Sequence, residues 1–151
     1  MASIQISMKV TIKKLKPDHY DDIIRVWQLA KLPHLPEGRD SRRKLTKQMR
    51  TYPDLFFGAF VGKELVGMVF GSDDGRHGVI NRLAVIPDFR RKGIAEMLVA
   101  RCEKALRARG ATVITTLIDL PNDGSLGLFK KMGFVPHPTV LYVSKRDGPK
   151  C

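Results

Sequence analysis

The stretch Arg90-Arg91-Lys92-Gly93-Ile94-Ala95 decides how this chain folds, because of the segments on either side of it. Residues 79–86 (VINRLAVI) form an apolar run that is typical of a strand and stops at Pro87, and the residues after Gly93 repeat with the period of a helix. The amides of such a loop and the first free N–H groups of the helix point to one place, where the helix dipole favours an anion. Gly93 lets a phosphate approach the backbone. The segment therefore predicts a pyrophosphate-binding loop, although a basic helix start on a solvated surface has the same local sequence.

Composition limits the classes of protein to which this chain can belong. Its 151 residues suit one domain, and no apolar run approaches the roughly 20 residues that a membrane span needs. A signal-peptide pattern is not recognised, and the two cysteines, Cys102 and Cys151, offer neither a disulfide framework nor a metal site. We therefore expect a cytoplasmic protein with no membrane partner and no bound metal.

The formal net charge of +12 requires an explanation. Nucleic acid, anionic lipid and a polyanionic cofactor are the partners that such a charge would attract. The charge is dispersed, however, with clusters at residues 42–44, 90–92 and 101–109, and a thermophile-like surface would have the same pattern. Charge alone therefore does not separate a binding function from a stability or solubility feature.

Hydrophobic periodicity predicts one α/β domain (an α+β mixed sheet) with the order β-α-α-β-β-β-α-β-α-β and helices on both faces of the sheet. Strands are expected at residues 9–16, 55–61, 64–70, 79–86, 112–118 and 140–145, and helices near residues 20–30, 42–52, 94–109 and 123–132. Because parallel strands joined by a helix follow a right-handed crossover, the fourth and fifth strands should be parallel and splay apart at their carboxyl ends.

The domain boundaries follow from the ends of this pattern. Residues 8–12 (MKVTI) read like a natural start, so residues 1–7 are expected to be a flexible extension. Residues 8–146 then form the single domain, and residues 147–151 form a tail.

Two motifs make the whole chain resemble the GNAT superfamily of N-acetyltransferases. Arg90, Gly93 and Ala95 fit the acetyl-CoA signature Arg/Gln-x-x-Gly-x-Gly/Ala, and the lead-in at residues 83–90 (LAVIPDFR) is similar to the one usual in the family. Residues 122–134 (NDGSLGLFKKMGF) resemble the family's second motif, which begins with asparagine and ends with glycine and an aromatic residue. The resemblance implies the GNAT acyl-CoA N-acyltransferase fold, with acetyl-CoA as co-substrate and an amine acceptor that attacks it directly.

The resemblance also implies which residues bind acetyl-CoA. Free backbone groups of Leu83, Ala84 and Val85 would bond the pantetheine arm. The N–H of Val85 would donate to the thioester oxygen, and one preorganised donor of this kind is worth roughly 3 kcal/mol. Asn122 would contact the same arm, although it would also serve as an ordinary helix N-cap. The expected cofactor-binding set is completed by Arg90, Arg91, Lys92, Gly93, Ile94, Ala95 and Phe129.

The catalytic acid and base stay open. Phe129 occupies the position where many relatives carry a tyrosine that protonates the CoA thiolate, so Tyr142, solvent or the substrate would supply that proton, or the thiolate would leave without one. Leu117 occupies the position where relatives that acetylate protein N-termini often carry a glutamate. Asp119, at the end of the same strand, is therefore the candidate base, with the loop residues Asp73, Asp74, His77 and Glu37 as alternatives.

The acceptor is expected beside the loop at residues 33–41, with Glu37, Arg39, Asp74 and Asn81 as candidate substrate contacts. A basic rim favours an acceptor with a carboxylate or phosphate beside its amine over a polyamine. Segments such as residues 38–41 and 80–83 look like a small, mostly uncharacterised branch of bacterial and archaeal GNAT proteins, which brings no firm substrate.

Two other classes of function stay open beside the enzyme. Phe129 and Leu117 favour a GNAT protein that binds acyl-CoA as a sensor or regulator. A nucleic-acid-associated module is favoured by nothing except the charge. Nucleic acid is therefore the partner with the least support from the sequence. A homodimer is compatible with the sequence.

Overall fold

A five-stranded mixed sheet lies at the centre of the protein. The computed structural model describes residues 9–151, so the predicted extension at residues 1–7 lies outside the described residues. The strands are β1 (Val10–Lys14), β2 (Phe56–Val61), β3 (Glu64–Asp73), β4 (His77–Val85) and β5 (Val113–Thr116). They lie in the order β1-β2-β3-β4-β5, with antiparallel pairing from β1 to β4 and parallel pairing of β4 with β5.

Four α-helices connect these strands or follow them. They are α1 (Tyr20–Leu29), α2 (Arg42–Thr51), α3 (Ile94–Ala108) and α4 (Asp123–Lys131). Ser41 is the N-cap of α2, since its side-chain oxygen accepts a hydrogen bond from the N–H of Lys44 at 3.3 Å. Within residues 9–151, no helix has both the length and the apolar character that crossing a membrane requires.

Alternate residues of β3 face two different helices. Phe70 packs edge-on against Trp27 of α1, with ring centroids 5.7 Å apart. The next residue, Gly71, lies beneath α3, where an added Cβ would come within 2.9 Å of the Sγ atom of Cys102. Gly78 of β4 lies beneath the same helix, and an added Cβ there would come within 3.1 Å of the Cδ atoms of Leu106. These glycines let α3 approach the sheet closely, and the predicted helical cover on both faces is confirmed.

β4 leaves β5 halfway along its length. The two strands pair from His77 opposite Val113 to Ile80 opposite Thr116, and β4 then continues to Val85 without a described strand on that side. The hydroxyl of Thr116 donates to the carbonyl oxygen of Ile80 at 2.8 Å, where the ladder ends. The predicted parallel pairing is confirmed, whereas the predicted splay is not seen between the strands themselves, because β5 pairs over its whole length and ends at Thr116 while β4 continues past it. The resulting gap opens toward the N-terminus of α3.

The prediction of a final strand at residues 140–145 is wrong. No strand follows α4 in the part of the chain that the structure describes, and the side chains of residues 140–143 are between 66% and 85% exposed. The alternating pattern indicates a preference for extended backbone, but a strand also needs a neighbour that completes its hydrogen bonds. β5 has only four residues, and residues 140–145 do not pair with it. The fold class, an α/β domain with a mixed sheet, is confirmed without this strand.

Candidate active site

A cleft with a volume of about 930 Å³ lies where β4 continues past β5, between the second half of β4 and the residues that follow β5, and this space is the gap between β4 and β5 referred to below. Its walls come from the residues after α1, the second half of β4, the loop and first turn of α3, the end of β5, and α4. Most of the residues that the sequence singled out as a site meet here. The predicted residues that line the cleft are Asn81, Leu83, Ala84, Val85, Arg90, Arg91, Gly93, Ile94, Ala95, Asp119, Asn122 and Phe129.

The loop before α3 has a backbone suited to an anion. Arg91 and Gly93 have φ angles of 61° and 79°, in the left-handed region. Gly93 is the N-cap of α3, and an added Cβ would meet no atom of the described residues within 4 Å, so the surface is open there. The first bond of the helical turn runs from the N–H of Met97 to the carbonyl of Gly93 at 3.1 Å. The N–H groups of residues 94–96 therefore have no helical acceptor, and with the helix dipole they favour a phosphate.

The three basic residues of this loop have different surroundings. Arg90 turns back toward the strand, since its Nε donates to the carbonyl of Val85 at 3.0 Å and a terminal nitrogen lies 3.5 Å from the carbonyl of Ala30. Arg91 and Lys92 are exposed and have no hydrogen-bonded or ion-pair partner among residues 9–151, and Lys92 is outside the lining of the cleft. Arg90 thus supports the end of β4, and because its acceptors are neutral carbonyls and it lines the cleft, its charge stays available to a ligand beside that of Arg91.

The second half of β4 offers its backbone to the cleft. Met68 of β3 pairs with Ala84, and Phe70 pairs with Asn81, so two residues of β4 oppose one residue of β3. This is a β-bulge, and Arg82 within it has a φ angle of 59°. On the other side, no described strand pairs with β4 beyond Ile80. Backbone groups on that side are accessible to a ligand that lies along the strand.

α4 provides the opposite wall. Asn122 is the N-cap of this helix, because its Oδ1 accepts a hydrogen bond from the N–H of Ser125 at 3.1 Å while the residue also lines the cleft. Phe129 is buried and packs edge-on against Phe134, with ring centroids 5.0 Å apart. The Nζ of Lys131 lies 2.9 Å from Oε2 of Glu96, which links α4 to α3. The wall is therefore apolar at Phe129, and this side chain has no proton to donate.

The two candidate catalytic side chains lie in different places. Asp119 is exposed and lines the cleft. Tyr142 is 66% exposed and lies in a shallow depression formed by the C-terminal segment and the loop at residues 33–41. The structure does not bring Tyr142 to the cleft, because its predicted strand does not form beside β5. Burial raises the pKa of the Cys102 thiol to about 12, so this cysteine is not a nucleophile.

The candidate substrate residues are also separated. Asn81 lines the cleft, whereas Glu37 and Arg39 line the shallow depression, where Oε2 of Glu37 lies 2.7 Å from Nζ of Lys150 in the tail. Asp74 accepts hydrogen bonds from the N–H groups of His77 and Arg76 at 2.8 and 2.9 Å, which lower the pKa of its carboxyl. It shapes the β3–β4 turn, at the opposite end of β4 from the cleft.

Sequence reasoning missed Arg82 and Asp40 as site residues. Arg82 lines the cleft and forms an ion pair with the buried carboxylate of Asp40. The available signal was a charged residue in the middle of an otherwise apolar strand, which requires a partner if it is buried. The sequence did not indicate which acid would be that partner, since the two residues are 42 positions apart.

Comparisons with known proteins identify the family of the chain. The model of the acetyltransferase (GNAT) family matches residues 20–134. An acetyltransferase of Sodalis glossinidius is 33% identical over 135 residues, which cover 89% of this chain and 94% of the relative. The chain belongs to the GNAT acetyltransferase family. The predicted family and the predicted class of enzyme, an acetyl-CoA-dependent acetyltransferase, are confirmed.

Two solved structures show the same fold. The PaiA N-acetyltransferase of Thermoplasma acidophilum in complex with coenzyme A has a TM-score of 0.76 at 22% identity, over 88% of this chain and 94% of that protein. AAC(6')-Iy in complex with the bisubstrate analogue CoA-S-monomethyl-acetylneamine has a TM-score of 0.76 at 19% identity, over 91% and 99%. At these identities the similarity establishes the fold.

Proposed function

We propose that the protein transfers the acetyl group of acetyl-CoA to a primary amine of a small molecule, an amino acid or a peptide. The observation that carries this proposal is the gap between β4 and β5, which leads directly to the free amides at the N-terminus of α3. One strand edge and one helix terminus thus stand at the two ends of a single cleft. Both line the same cleft, which suits a ligand with a pyrophosphate at one end and an extended arm at the other.

The residues divide the binding of acetyl-CoA between them. The N–H groups of residues 93–96 bind the pyrophosphate, and Arg91 and Lys92 add positive charge. The free edge of β4 at residues 83–85 bonds the pantetheine arm, and Asn122 and Phe129 cover the arm from α4. The N–H of Val85 stabilises the thioester oxygen where negative charge develops during attack. The thioester supplies the electrophilic carbonyl carbon and the thiolate leaving group.

Proton transfer depends on few side chains. The amine must lose its proton before attack, and Asp119 at the edge of the cleft accepts it directly or through water. Phe129 has no proton for the departing thiol, and Tyr142 is outside the cleft. A thiol with a pKa of about 8.5 leaves largely as thiolate near neutral pH without a dedicated acid. This arrangement supports direct transfer in which removal of the amine proton limits the rate.

The charges near the acceptor side are partly neutralised. Arg42 lies 2.6 Å from Asp21, and Arg82 pairs with Asp40. Lys31 lines the cleft and has no ion-pair partner among residues 9–151. An acceptor with a carboxylate or phosphate close to its amine suits this remaining positive charge better than a polyamine does.

The test is thiol release from acetyl-CoA with a panel of amines. The panel contains amino acids, acidic and neutral peptides, spermidine and an aminoglycoside, and the product is identified by mass. We expect acetylation of at least one amine with equimolar CoA release. Tight acetyl-CoA binding without turnover on any amine would contradict the proposal. That outcome would favour the alternative, an acyl-CoA sensor. This alternative is supported by Phe129, which has no proton to donate, and by the position of Tyr142 outside the cleft.

A further inference from the structure

Arg82 has an unusual backbone conformation. Its φ angle of 59° is in the left-handed region, which residues other than glycine and asparagine rarely adopt. It stands in the bulge of β4, next to the strand edge that faces the cleft. Such a conformation persists only where the surrounding contacts hold it in place, and residues with strained backbone are often found at functional sites.

The guanidinium of Arg82 contacts three residues in two other segments. One terminal nitrogen donates to the carbonyl of Pro33 at 2.7 Å, and the other donates to Oδ2 of Asp40. The guanidinium carbon lies 4.5 Å from the centre of the Trp27 ring. The side chains of Arg82 and Asp40 are 19% and 7% exposed, so the pair is largely removed from water. Arg82 therefore joins β4 to α1 and to the loop at residues 33–41.

Asp40 organises that loop. Its Oδ2 also accepts a hydrogen bond from the N–H of Leu35 at 2.8 Å, and its own N–H donates to the carbonyl of Leu35 at 3.1 Å. The hydroxyl of Tyr20 donates to the carbonyl of Asp40 at 2.7 Å. One carboxylate oxygen thus receives both an amide of the loop and the guanidinium from β4. If this oxygen loses its charge, the contact between the loop and the strand is reduced to the hydrogen bond from Arg82 to the carbonyl of Pro33.

We propose that Arg82 and Asp40 are a positioning pair, which holds the loop at residues 33–41 against the bulge of β4 and so aligns the acceptor amine with the thioester. The inference rests on the proposed function and on the expectation from the sequence that the acceptor lies beside this loop. Pro33 and Arg82 both line the cleft, so their hydrogen bond sets the distance between its two sides. The described contacts of Arg82 do not involve the loop before α3, so the pair acts on the acceptor and not on the pyrophosphate.

The chemistry of arginine makes the pair testable by a conservative change. A guanidinium is planar and donates in two directions while its face lies over an aromatic ring, and an ammonium does not combine these contacts. Arg82→Lys keeps the charge but loses the simultaneous contacts with Pro33, Asp40 and Trp27. Asp40→Asn keeps an oxygen for the N–H of Leu35 but removes the charge that faces Arg82.

The experiment compares Arg82→Lys, Asp40→Asn and the double variant with the wild type. Arg107→Ala is the matched control, because it removes an arginine whose partner, Glu103 at 3.6 Å, lies on the same helix. The steady-state kcat and KM are measured with the best amine of the panel, and the Kd for CoA is measured by calorimetry. We expect kcat/KM for the amine to fall about 10- to 100-fold in both single variants, mainly through KM, with the Kd for CoA within about twofold. The loss of kcat/KM in the double variant should be about the same as in the more impaired single variant, since both substitutions remove the same interaction.

Hydrogen exchange gives a second, independent readout. The N–H groups of Leu35 and Asp40 should exchange faster in the folded Arg82→Lys protein than in the wild type. Unchanged amine KM in both folded single variants, or an equal loss of CoA affinity, would overturn the inference. If Arg82→Lys does not fold, Asp40→Asn decides by the same criteria. A wild type that acetylates no amine would overturn the proposed function instead, and exchange at Leu35 and Asp40 alone would then decide whether the pair holds the loop.

Discussion

The two ends of α3 differ in how their polar groups are satisfied. At its N-terminus, the amides of residues 94–96 have no helical acceptor, and Arg91 and Lys92 have no partner among residues 9–151. Beyond its C-terminus, Arg109 donates to both carboxylate oxygens of Asp54 at 2.7 and 2.6 Å and to Asp73 at 3.3 Å. One helix thus carries a satisfied ion-pair network at one end and an unsatisfied anion site at the other. Unpartnered groups around a cleft indicate a ligand, and fully paired groups indicate a structural role.

The largest effect is expected at the unsatisfied end. Gly93→Val should weaken CoA binding by about 100-fold or more, because a branched side chain blocks the approach of a phosphate and strains a residue whose φ is 79°. Gly62→Val is the matched control. Gly62 has a φ of 60° and open space around it, but it lies in the β2–β3 turn. If the folded Gly93→Val protein binds CoA with a calorimetric Kd close to that of the wild type, the N-terminus of α3 is not the phosphate site.

A smaller effect should separate the basic residues of the loop. Arg91→Ala should weaken CoA binding about tenfold and reduce its dependence on salt, because an exposed charge acts through a screened Coulomb interaction. Arg90→Ala should also weaken binding, but part of its effect should persist at high salt, since the bond from its Nε to the carbonyl of Val85 supports the end of β4. Titrations at three salt concentrations distinguish the two. The assignment would be wrong if Arg90→Ala removed more of the salt dependence than Arg91→Ala did.

The satisfied end should affect stability and not binding. The hydrogen bonds from Arg109 lower the pKa of Asp54, and the same pair raises the pKa of Arg109. A carboxyl with a depressed pKa stabilises the fold above its unfolded pKa of about 3.9 and loses that contribution as the pH falls through the folded pKa. Asp54→Asn should therefore lower the Tm by about 3 °C at pH 7 and converge with the wild type in strong acid.

The affinity for CoA is the control for this prediction. It should be the same in Asp54→Asn and the wild type within about twofold, because the network lies at the far end of the helix from the cleft. A Tm difference that does not change with pH would show that the carboxylate charge of Asp54 is not the source of the stabilisation.

The smallest effect is expected at the apolar wall of the cleft. Phe129→Tyr should change kcat by less than the roughly 100-fold that is typical of a positioned general acid, because the thiol leaves largely as thiolate. For the wild type, the rate should rise toward alkaline pH and reach a plateau without a descending limb below about pH 9. A bell-shaped profile whose upper limb disappears in Tyr142→Phe would show that a proton donor exists and that Tyr142 reaches the cleft.

The parts of the site that local sequence could predict are those built from one strand, one loop and one helix. The anion loop at residues 90–95 and the parallel pairing of β4 with β5 follow from glycine, from helix-end chemistry and from the handedness of crossovers. The strand at residues 140–145 was not predictable in this way, because a strand needs a partner that its own pattern does not specify. The expected placement of Tyr142 in the cleft depended on this strand and was wrong for the same reason.

The Arg82–Asp40 pair belongs to a different class of feature. Both residues lie in segments that the sequence assigned correctly, a strand and a loop, but their contact joins positions far apart in the chain. A charge within an apolar strand predicts that some partner exists. Identifying that partner requires the packing of α1 and the loop at residues 33–41 against the sheet.

The measurement that tests the central claim most directly is a crystal structure of the protein with CoA. We expect pyrophosphate oxygens within hydrogen-bonding distance of the N–H groups of residues 93–96. We also expect the pantetheine arm to follow residues 83–85 into the gap between β4 and β5. CoA bound at another surface, or bound with its phosphates away from the N-terminus of α3, would contradict the account.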